Sequence, residues 1–163
     1  MELYHGSTEI IQAPIILEQQ RFLDFGKGFY LTSSKEQAIR WAHIKSKRIG
    51  RLDLAVVNVY KTETDPANIS ELNVRVFNSA SEEWLDFILK NRNGNESHSY
   101  DLIKGPVAND TLYRTLALFE SGILTKKETI VRLKTHKLFD QISFHSSRAL
   151  KHLRFEMAFK AVL

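Results

Sequence analysis

Apolar and polar residues alternate along this chain in two periods, which predict short strands set between amphipathic helices. Alternating or β-branched apolar runs predict strands at residues 3–4, 28–32, 54–59, 73–77, 100–103, 139–144 and 153–162. Apolar residues spaced by about one helical turn predict helices at residues 35–49, 81–93, 109–121 and 126–136. These elements mix without a regular βαβ rhythm, which favours an α+β fold over a doubly wound sheet.

Polar residues at the predicted helix ends support these boundaries. Ser34 precedes Gln37 by the spacing of a capping box, Thr125 begins a second box, and Ser81 caps the helix between them. Gly50 ends the first helix. In the last strand the alternation places one set of residues on the same face, namely Leu153, Phe155, Met157 and Phe159.

Length and composition exclude several classes of protein. The chain has 163 residues, which predicts one domain over 1–163, and it contains no cysteine, so disulfides, iron–sulfur clusters and cysteine zinc sites are excluded. The histidines form no His-x-x-x-His pair, and we expect no metal. The first residues do not resemble a signal peptide, and no apolar run approaches the roughly 20 residues of a membrane span. We therefore expect a cytoplasmic protein with no membrane partner.

The net charge of +4 is unevenly distributed. Residues 35–51 carry six basic side chains and one acidic one, and 126–163 carry nine against three, whereas 61–101 carry four against eight. A basic surface can attract a nucleic acid, an acidic protein or a phosphorylated small molecule, and it can also be an ordinary solvated helix face. The charge alone does not choose between these.

Two glycine-containing segments carry the residues best suited to chemistry. His-Gly-Ser at 5–7 ends the first predicted strand, and Gly-Lys-Gly-Phe-Tyr at 26–30 enters the second. An imidazole can bond a hydroxyl, and a glycine without a Cβ lets a planar amide approach its backbone. Each segment also has a structural interpretation, as a strand-end histidine and as a turn. The second segment lacks a third glycine and precedes a strand, which excludes a Rossmann site, and no P-loop is present.

In this order the two segments resemble the His-Tyr-Glu branch of the ADP-ribosyltransferase superfamily, which includes diphtheria-like toxins and poly(ADP-ribose) polymerases. The resemblance implies an ADP-ribosyltransferase-like split β-sheet core with NAD as the substrate. It implies that His5 bonds the ribose 2′-hydroxyl of NAD, that Gly6 offers its backbone to the nicotinamide carboxamide, and that Tyr30 lies against the nicotinamide ring. Ser7 is included in the same NAD-binding segment.

Two further positions are compared with the polymerases. Trp41 stands eleven residues after Tyr30, where the polymerases carry a second aromatic residue, so the resemblance places it at NAD. Ala38 stands eight residues after Tyr30, where they carry a serine, so that contact to the carboxamide is lost here.

The third residue of the family is a glutamate on a late strand, and here the chain departs from the pattern. The predicted strand at 139–144 resembles the one that bears this glutamate, and Gln141 takes its position, with Asp140 and then Glu156 as alternatives. A carboxylate there stabilises the positive charge that develops on the ribose as nicotinamide leaves, and such electrostatic groups contribute roughly 3–4 kcal/mol. An amide can only orient groups by hydrogen bonds. Its presence argues against polymer elongation and leaves single transfer, slow NAD hydrolysis or no catalysis.

Nearly the whole chain also resembles a bacterial family of uncharacterised ADP-ribosyltransferase-like proteins. The shared motifs are Leu-Tyr-His-Gly-Ser, Asp-Phe-Gly-Lys-Gly-Phe-Tyr-Leu-Thr, Gly-Pro-Val-Ala-Asn-Asp at 105–110 and Gln-Ile-Ser-Phe-His at 141–145. The resemblance implies a mono-ADP-ribosyltransferase with His5, Tyr30 and Gln141 as catalytic residues. It also implies a toxin of a toxin–antitoxin pair, with a small antitoxin as partner and a protein or nucleic acid as acceptor.

Some alternatives stay open. Asn109 can line the cleft and contact NAD, or Asn109 or Asp110 can simply cap the next helix. A non-catalytic module that binds NAD, ADP-ribose or only a partner protein fits the uncharged Gln141. An RNA-directed phosphotransferase-like enzyme shares the fold and fits the basic composition, although the chain lacks the expected Arg-rich pattern.

Overall fold

The computed structural model describes residues 1–18, 23–94, 98–107, 110–134 and 138–162, with the backbone alone described at 110–112. Its strands are β1 (Glu2–Ser7), β2 (Phe29–Leu31), β3 (Val56–Lys61), β4 (Val74–Val76), β5 (Leu102–Pro106), β6 (Asp140–Phe144) and β7 (Arg154–Lys160). Its helices are α1 (Lys35–Arg48), α2 (Glu82–Arg92), α3 (Asp110–Glu120), α4 (Lys126–Lys134) and α5 (Ser147–Leu150). This mixture confirms the predicted α+β class.

Capping chemistry sets the helix starts much as the sequence predicts. The hydroxyl of Ser34 accepts a hydrogen bond from the N–H of Gln37 at 3.2 Å. The capping box also predicts that the side chain of Gln37 accepts from the N–H of Ser34. This prediction is wrong, because the hydroxyl of Thr32 accepts from that N–H. The box at Thr125 is complete, since its N–H donates to the carboxylate of Glu128 and its hydroxyl accepts from the N–H of Glu128.

The described strands form two sheets that meet at one bridge. An antiparallel sheet has the order β1-β3-β7, and a second sheet has the order β2-β6-β5-β4, in which only the β4–β5 pair is parallel. At the bridge the N–H of Tyr4 donates to the carbonyl of Thr32 at 2.9 Å, and the N–H of Thr32 donates to the carbonyl of Tyr4 at 3.0 Å. The β1 end of the three-stranded sheet therefore lies beside the β2 end of the four-stranded sheet.

Three apolar clusters define the layers of the fold. Leu3 and Phe29 belong to a cluster between the two sheets. The small residues of α1 pack on the outer face of the three-stranded sheet in a second cluster with Val57. Trp84 and Ile103 belong to a third cluster, which covers the outer face of the four-stranded sheet with α2 and its neighbours. Side chains of β1 and β2 thus point alternately between the sheets and outwards.

A β-bulge corrects the prediction for the last strand. The register pairs Val59 with Met157 but Tyr60 with Phe155, so Glu156 is an extra residue on β7. Because the side-chain period is two, the extra residue moves Phe155 to the face opposite Met157. Phe155 accordingly packs against Tyr60, with ring centroids 5.8 Å apart. The alternation predicted for residues 153–159 is therefore wrong at this point.

Candidate functional site

His5 is buried at the end of β1 and its tautomer is fixed by its neighbours. Its Nδ1 lies 2.6 Å from the carbonyl oxygen of Tyr30, which can only accept, so Nδ1 carries the proton and Nε2 is an acceptor. Its ring stacks on Phe29, with centroids 4.3 Å apart. Burial lowers the pKa of His5 to about 3, and the charge of Lys45 adds to this effect. His5 is therefore a neutral hydrogen-bonding group at neutral pH.

Beyond the bridge between the sheets, the side chains of His5 and Lys45 donate the hydrogen bonds that backbone N–H groups would donate in a continued ladder. Antiparallel pairing beyond the Tyr4–Thr32 bridge would place Gly6 opposite Tyr30. Instead, the carbonyl of Tyr30 accepts from His5, and the carbonyl of Gly6 accepts from the ammonium of Lys45 at 2.6 Å. Lys45 Nζ also lies 3.4 Å from His5 Nε2. The gap between β1 and β2 thus begins at the motif residues themselves.

Gly6 is required by close packing of α1 on β1. A Cβ at this position would lie 2.1 Å from the carbonyl oxygen of Ala38, 2.6 Å from the nitrogen of Ala42 and 2.9 Å from the Cβ of Trp41. The structure therefore brings the backbone of Gly6 and the Cβ of Trp41 together. It also shows that the missing Cβ makes room for the helix.

Ser7 is buried at the last position of β1 and serves a local turn. Its hydroxyl accepts a hydrogen bond from the N–H of Glu9 at 3.3 Å. In the register Ser7 pairs with Val56 of β3. The described contacts of Ser7 are thus those of a strand end.

Tyr30 holds the loop that precedes β2. Its hydroxyl donates to the carbonyl of Gly26 at 2.5 Å and accepts from the N–H of Phe25 at 3.1 Å. Burial raises the pKa of Tyr30 well above its ordinary value, and the negative charge of Asp24 raises it further. The phenol therefore stays protonated. Alternation along β2 places this side chain on the face opposite that of Phe29, whereas His5 stacks on Phe29.

Two imidazoles and one phenol hold this loop in place by hydrogen bonds to consecutive backbone carbonyls. The carbonyls of residues 25, 26 and 27 accept from His98 Nε2 at 2.7 Å, from the Tyr30 hydroxyl at 2.5 Å and from His145 Nδ1 at 2.5 Å. The other nitrogen of His145 accepts from the hydroxyl of Ser143 at 2.7 Å. Burial lowers the pKa of His145 to about 4, although the carbonyl of Lys27 works in the opposite direction.

Gln141 lies on β6 with its amide directed at a buried carboxylate. Its Nε2 lies 3.3 Å from Oδ2 of Asp24 and 3.3 Å from the carbonyl of Pro106. Asp24 is 6% exposed and Gln141 is 3% exposed. Since β2 and β6 pair Tyr30 with Ser143, Gln141 lies on the same sheet face as Tyr30. The structure thus brings Asp24, Tyr30 and Gln141 together.

The two alternatives to Gln141 have other partners. Oδ1 of Asp140 accepts from the hydroxyl of Thr32 at 3.0 Å, from the N–H of Ser33 at 3.0 Å and from its hydroxyl at 2.8 Å. Glu156 is the bulge residue of β7 and forms ion pairs with Lys61 and Arg154. Asp140 therefore secures the segment after β2, and Glu156 lies on the outer strand of the other sheet.

Sequence reasoning missed three residues of this region, and each had a signal. Lys45 stands four residues after Trp41, on the same helix face. His145 ends the Gln-Ile-Ser-Phe-His motif at the spacing that shares a strand face with Gln141. Asp24 is the first residue of the Asp-Phe-Gly-Lys-Gly-Phe-Tyr-Leu-Thr motif. Asp24 and His145 thus lie within shared motifs, and Lys45 lies in the basic run at 35–51.

Asn109 lies outside the described residues, as does the step from the 105–110 loop to α3. Two open depressions have volumes of about 470 and 940 Å³. The first lies beside residues 61–71 and 151–154, and the second lies beside 73–77, 83–90 and 98–100, where His98 lines it. The candidate site is the gap between β1 and β2 with its flanking polar groups, because His5, Gly6 and Tyr30 meet there. In the described part of the chain, no helix is long and apolar enough to cross a membrane.

A family model described as a protein of unknown function, DUF3990, matches residues 1–155. No curated protein and no solved structure matches the chain. Because the model covers nearly the full length, the chain belongs to the DUF3990 family.

Proposed function

We propose that this protein is an NAD-dependent mono-ADP-ribosyltransferase built on an ADP-ribosyltransferase-like split-sheet core. The acceptor is a protein or nucleic acid, and the biological role is that of a bacterial toxin controlled by a small antitoxin. This proposal combines the motif resemblance with the geometry of the gap between β1 and β2.

One observation carries the proposal: the ladder between the two sheets ends at the motif residues, where side chains replace backbone partners. The carbonyls of Tyr30 and Gly6 accept from His5 and Lys45 at 2.6 Å each. A planar carboxamide carries one carbonyl and two N–H groups, and a strand edge offers N–H donors and carbonyl acceptors that can pair with them. The opening at Gly6 is therefore suited to nicotinamide.

The residues around the gap fit NAD in three respects. His5 Nε2 is an acceptor, which suits a ribose hydroxyl donor. Lys45 is a cation at the same point, which suits the pyrophosphate, and the aromatic residue Trp41 has its Cβ next to Gly6. Because Lys45 already bonds the carbonyl of Gly6, a carboxamide donor at that carbonyl has to displace the ammonium.

The proposed transfer breaks the bond between nicotinamide and C1′ of the ribose, and the electron pair of that bond leaves with nicotinamide. A lone pair of the acceptor forms the new bond to C1′, and the acceptor loses its proton to solvent. His5, neutral in the working pH range, orients the ribose rather than transferring a proton. Tyr30 and Gln141 would act from the other face of β2, with the carboxylate of Asp24 beside them.

Nicotinamide release from NAD tests the proposal. We expect release by the wild type and its loss, by roughly 100-fold, in His5→Ala, Tyr30→Ala and Gln141→Ala, since each removes a positioned polar group. His152→Ala is the matched control, because His152 lies near Glu71, away from the gap. Equal release in all variants would contradict the proposal. Labelled NAD added to a cell lysate then identifies the fraction that carries the acceptor.

A non-catalytic NAD-binding module is the second candidate, and the uncharged Gln141 is the observation that favours it. This function predicts a rise in melting temperature with NAD but no release of nicotinamide. The same two measurements on the wild type therefore separate it from the transferase.

A further inference from the structure

We infer that Asp24 is a positioning residue for Gln141. Its carboxylate fixes the direction of the Gln141 amide and supplies the negative charge that the amide lacks. This inference rests on the proposed transferase function. It gives the site a carboxylate from the loop before β2 instead of from β6.

The direction of the Gln141 amide follows from its two neighbours. The carboxylate of Asp24 and the carbonyl of Pro106 are both acceptors, and each lies 3.3 Å from Nε2. Exchanging the oxygen and nitrogen of the amide would bring acceptor against acceptor at both contacts. Both N–H groups are therefore committed, and the carbonyl oxygen is the acceptor atom of the amide.

An acceptor is what a ribose hydroxyl requires from this position. The carbonyl oxygen of an amide accepts hydrogen bonds as a carboxylate oxygen does, though without the charge. Asp24 is 6% exposed and Oδ2 of its carboxylate lies 3.3 Å from the amide nitrogen, so its negative charge acts directly beside the amide. In a poorly solvated interior such a charge polarises the amide and acts over several ångströms.

The position of Asp24 is set by the pinned loop that follows it. The three consecutive carbonyls of residues 25–27 accept from His98, Tyr30 and His145. This places Asp24 close to Tyr30, whose pKa its charge raises in addition to the effect of burial. A loop held at three successive residues has little freedom to carry the carboxylate away from Gln141.

A charge-swap series tests the inference with the full chain. The variants are Asp24→Asn, Gln141→Glu and the double variant, with Asp53→Asn as the control because Asp53 is exposed and pairs with Arg51. We measure kcat and KM for nicotinamide release, the pH profile of kcat and the shift in melting temperature on adding NAD. The double variant keeps one carboxylate and one amide in exchanged places.

We expect Asp24→Asn to lower kcat by roughly 10- to 100-fold with a smaller change in KM, because the lost charge acts on the transition state. The double variant should recover most of this loss, and Asp53→Asn should match the wild type. Gln141→Glu places two carboxylates together, and the like charge raises the pKa of one of them, so the pH profile of its kcat should shift to higher pH than that of the wild type.

The outcomes separate the two proposals. An active wild type with an equally active Asp24→Asn overturns the role of Asp24 and leaves the transferase function in place. A wild type that releases no nicotinamide overturns both. If Asp24→Asn does not fold, the double variant decides: activity supports the inference, and a folded but inactive double variant overturns it.

Discussion

The two sides of the candidate site are positioned by opposite means. At the end of β1, Gly6 is held by tight steric contact, because α1 occupies the space where a Cβ would be. In the loop before β2, position comes from hydrogen bonds, with His98, Tyr30 and His145 each donating to a successive carbonyl. The β1 side therefore tolerates no added atom at Gly6, whereas the loop side tolerates no loss of a hydrogen-bond donor.

Acid should lower the free energy of unfolding equally through the buried histidine on each side, and this is the largest effect we expect. The folded-state pKa of His5 is lowered to about 3 and that of His145 to about 4, so the unfolded chain binds more protons once the pH falls below about 6.5. Stability is therefore full above pH 6.5 and declines as the pH falls towards these values. At pH 5 the loss is about 2 kcal/mol for each histidine, or about 4 kcal/mol together.

Urea unfolding of the wild type, His5→Gln and His145→Gln between pH 7.5 and pH 5 measures this loss. Each substitution should remove about half of the pH dependence, since one histidine lies on each side. If the free energy of unfolding of either variant depends on pH as strongly as that of the wild type, the substituted histidine does not contribute to the loss in acid.

Gly6→Ala should disrupt the β1 side by about 3 kcal/mol or more. The added Cβ meets backbone atoms of Ala38 and Ala42, which move only if the whole of α1 moves. Gly50→Ala is the matched control, because Gly50 has a φ of +68° and open space around it, so it costs about 1 kcal/mol for conformation alone. The free energy of unfolding measures both, and equal losses would refute the steric account.

Tyr30→Phe should loosen the loop side by about 2 kcal/mol. The substitution leaves the ring in place but deprives the carbonyl of Gly26 and the N–H of Phe25 of their partner. Tyr4→Phe is the control, since the hydroxyl of Tyr4 bonds only the exposed Glu2 among the described contacts. Amide exchange should accelerate at residues 25–27 in Tyr30→Phe; unchanged protection there would mean that the phenol does not secure the loop.

Asp140→Asn should have the smallest effect, about 1 kcal/mol, because it weakens hydrogen bonds to Thr32 and Ser33 in a partly exposed place. The change should appear as faster amide exchange at Thr32, whose N–H forms part of the bridge between the sheets. The exposed Asp53→Asn should leave that exchange rate as it is in the wild type. Nicotinamide release at the wild-type rate would confirm that Asp140 is structural.

The sequence predicted the parts of this fold that local chemistry decides. The caps at Ser34, Ser81 and Thr125 form as expected, because a hydroxyl and an N–H two or three residues later need no distant partner. The strand that carries Gln141 was likewise predicted from its alternation. The bulge at Glu156 was not, because residues 153–157 alternate in sequence and only the pairing of β7 with β3 reveals the extra residue.

The candidate site was predictable only in part, for a related reason. His5, Gly6 and Tyr30 stand in motifs that can be read directly, and the structure places His5 against the backbone of Tyr30. The contact between Asp24 and Gln141 joins residues 117 positions apart, and no local pattern encodes it. Lys45 reaches His5 only because α1 packs directly on β1, and the tight approach of Gly6 to the helix is a property of the assembled fold.

The bulge of β7 also affects how the protein meets other copies of itself. β7 is the outer strand of its sheet, and an outer strand with a regular, open backbone is a template for pairing with another chain. Glu156 interrupts that regularity, and the charges of Arg154 and Lys160 stand on the same strand. The irregular, charged edge makes β7 a poor template for aggregation.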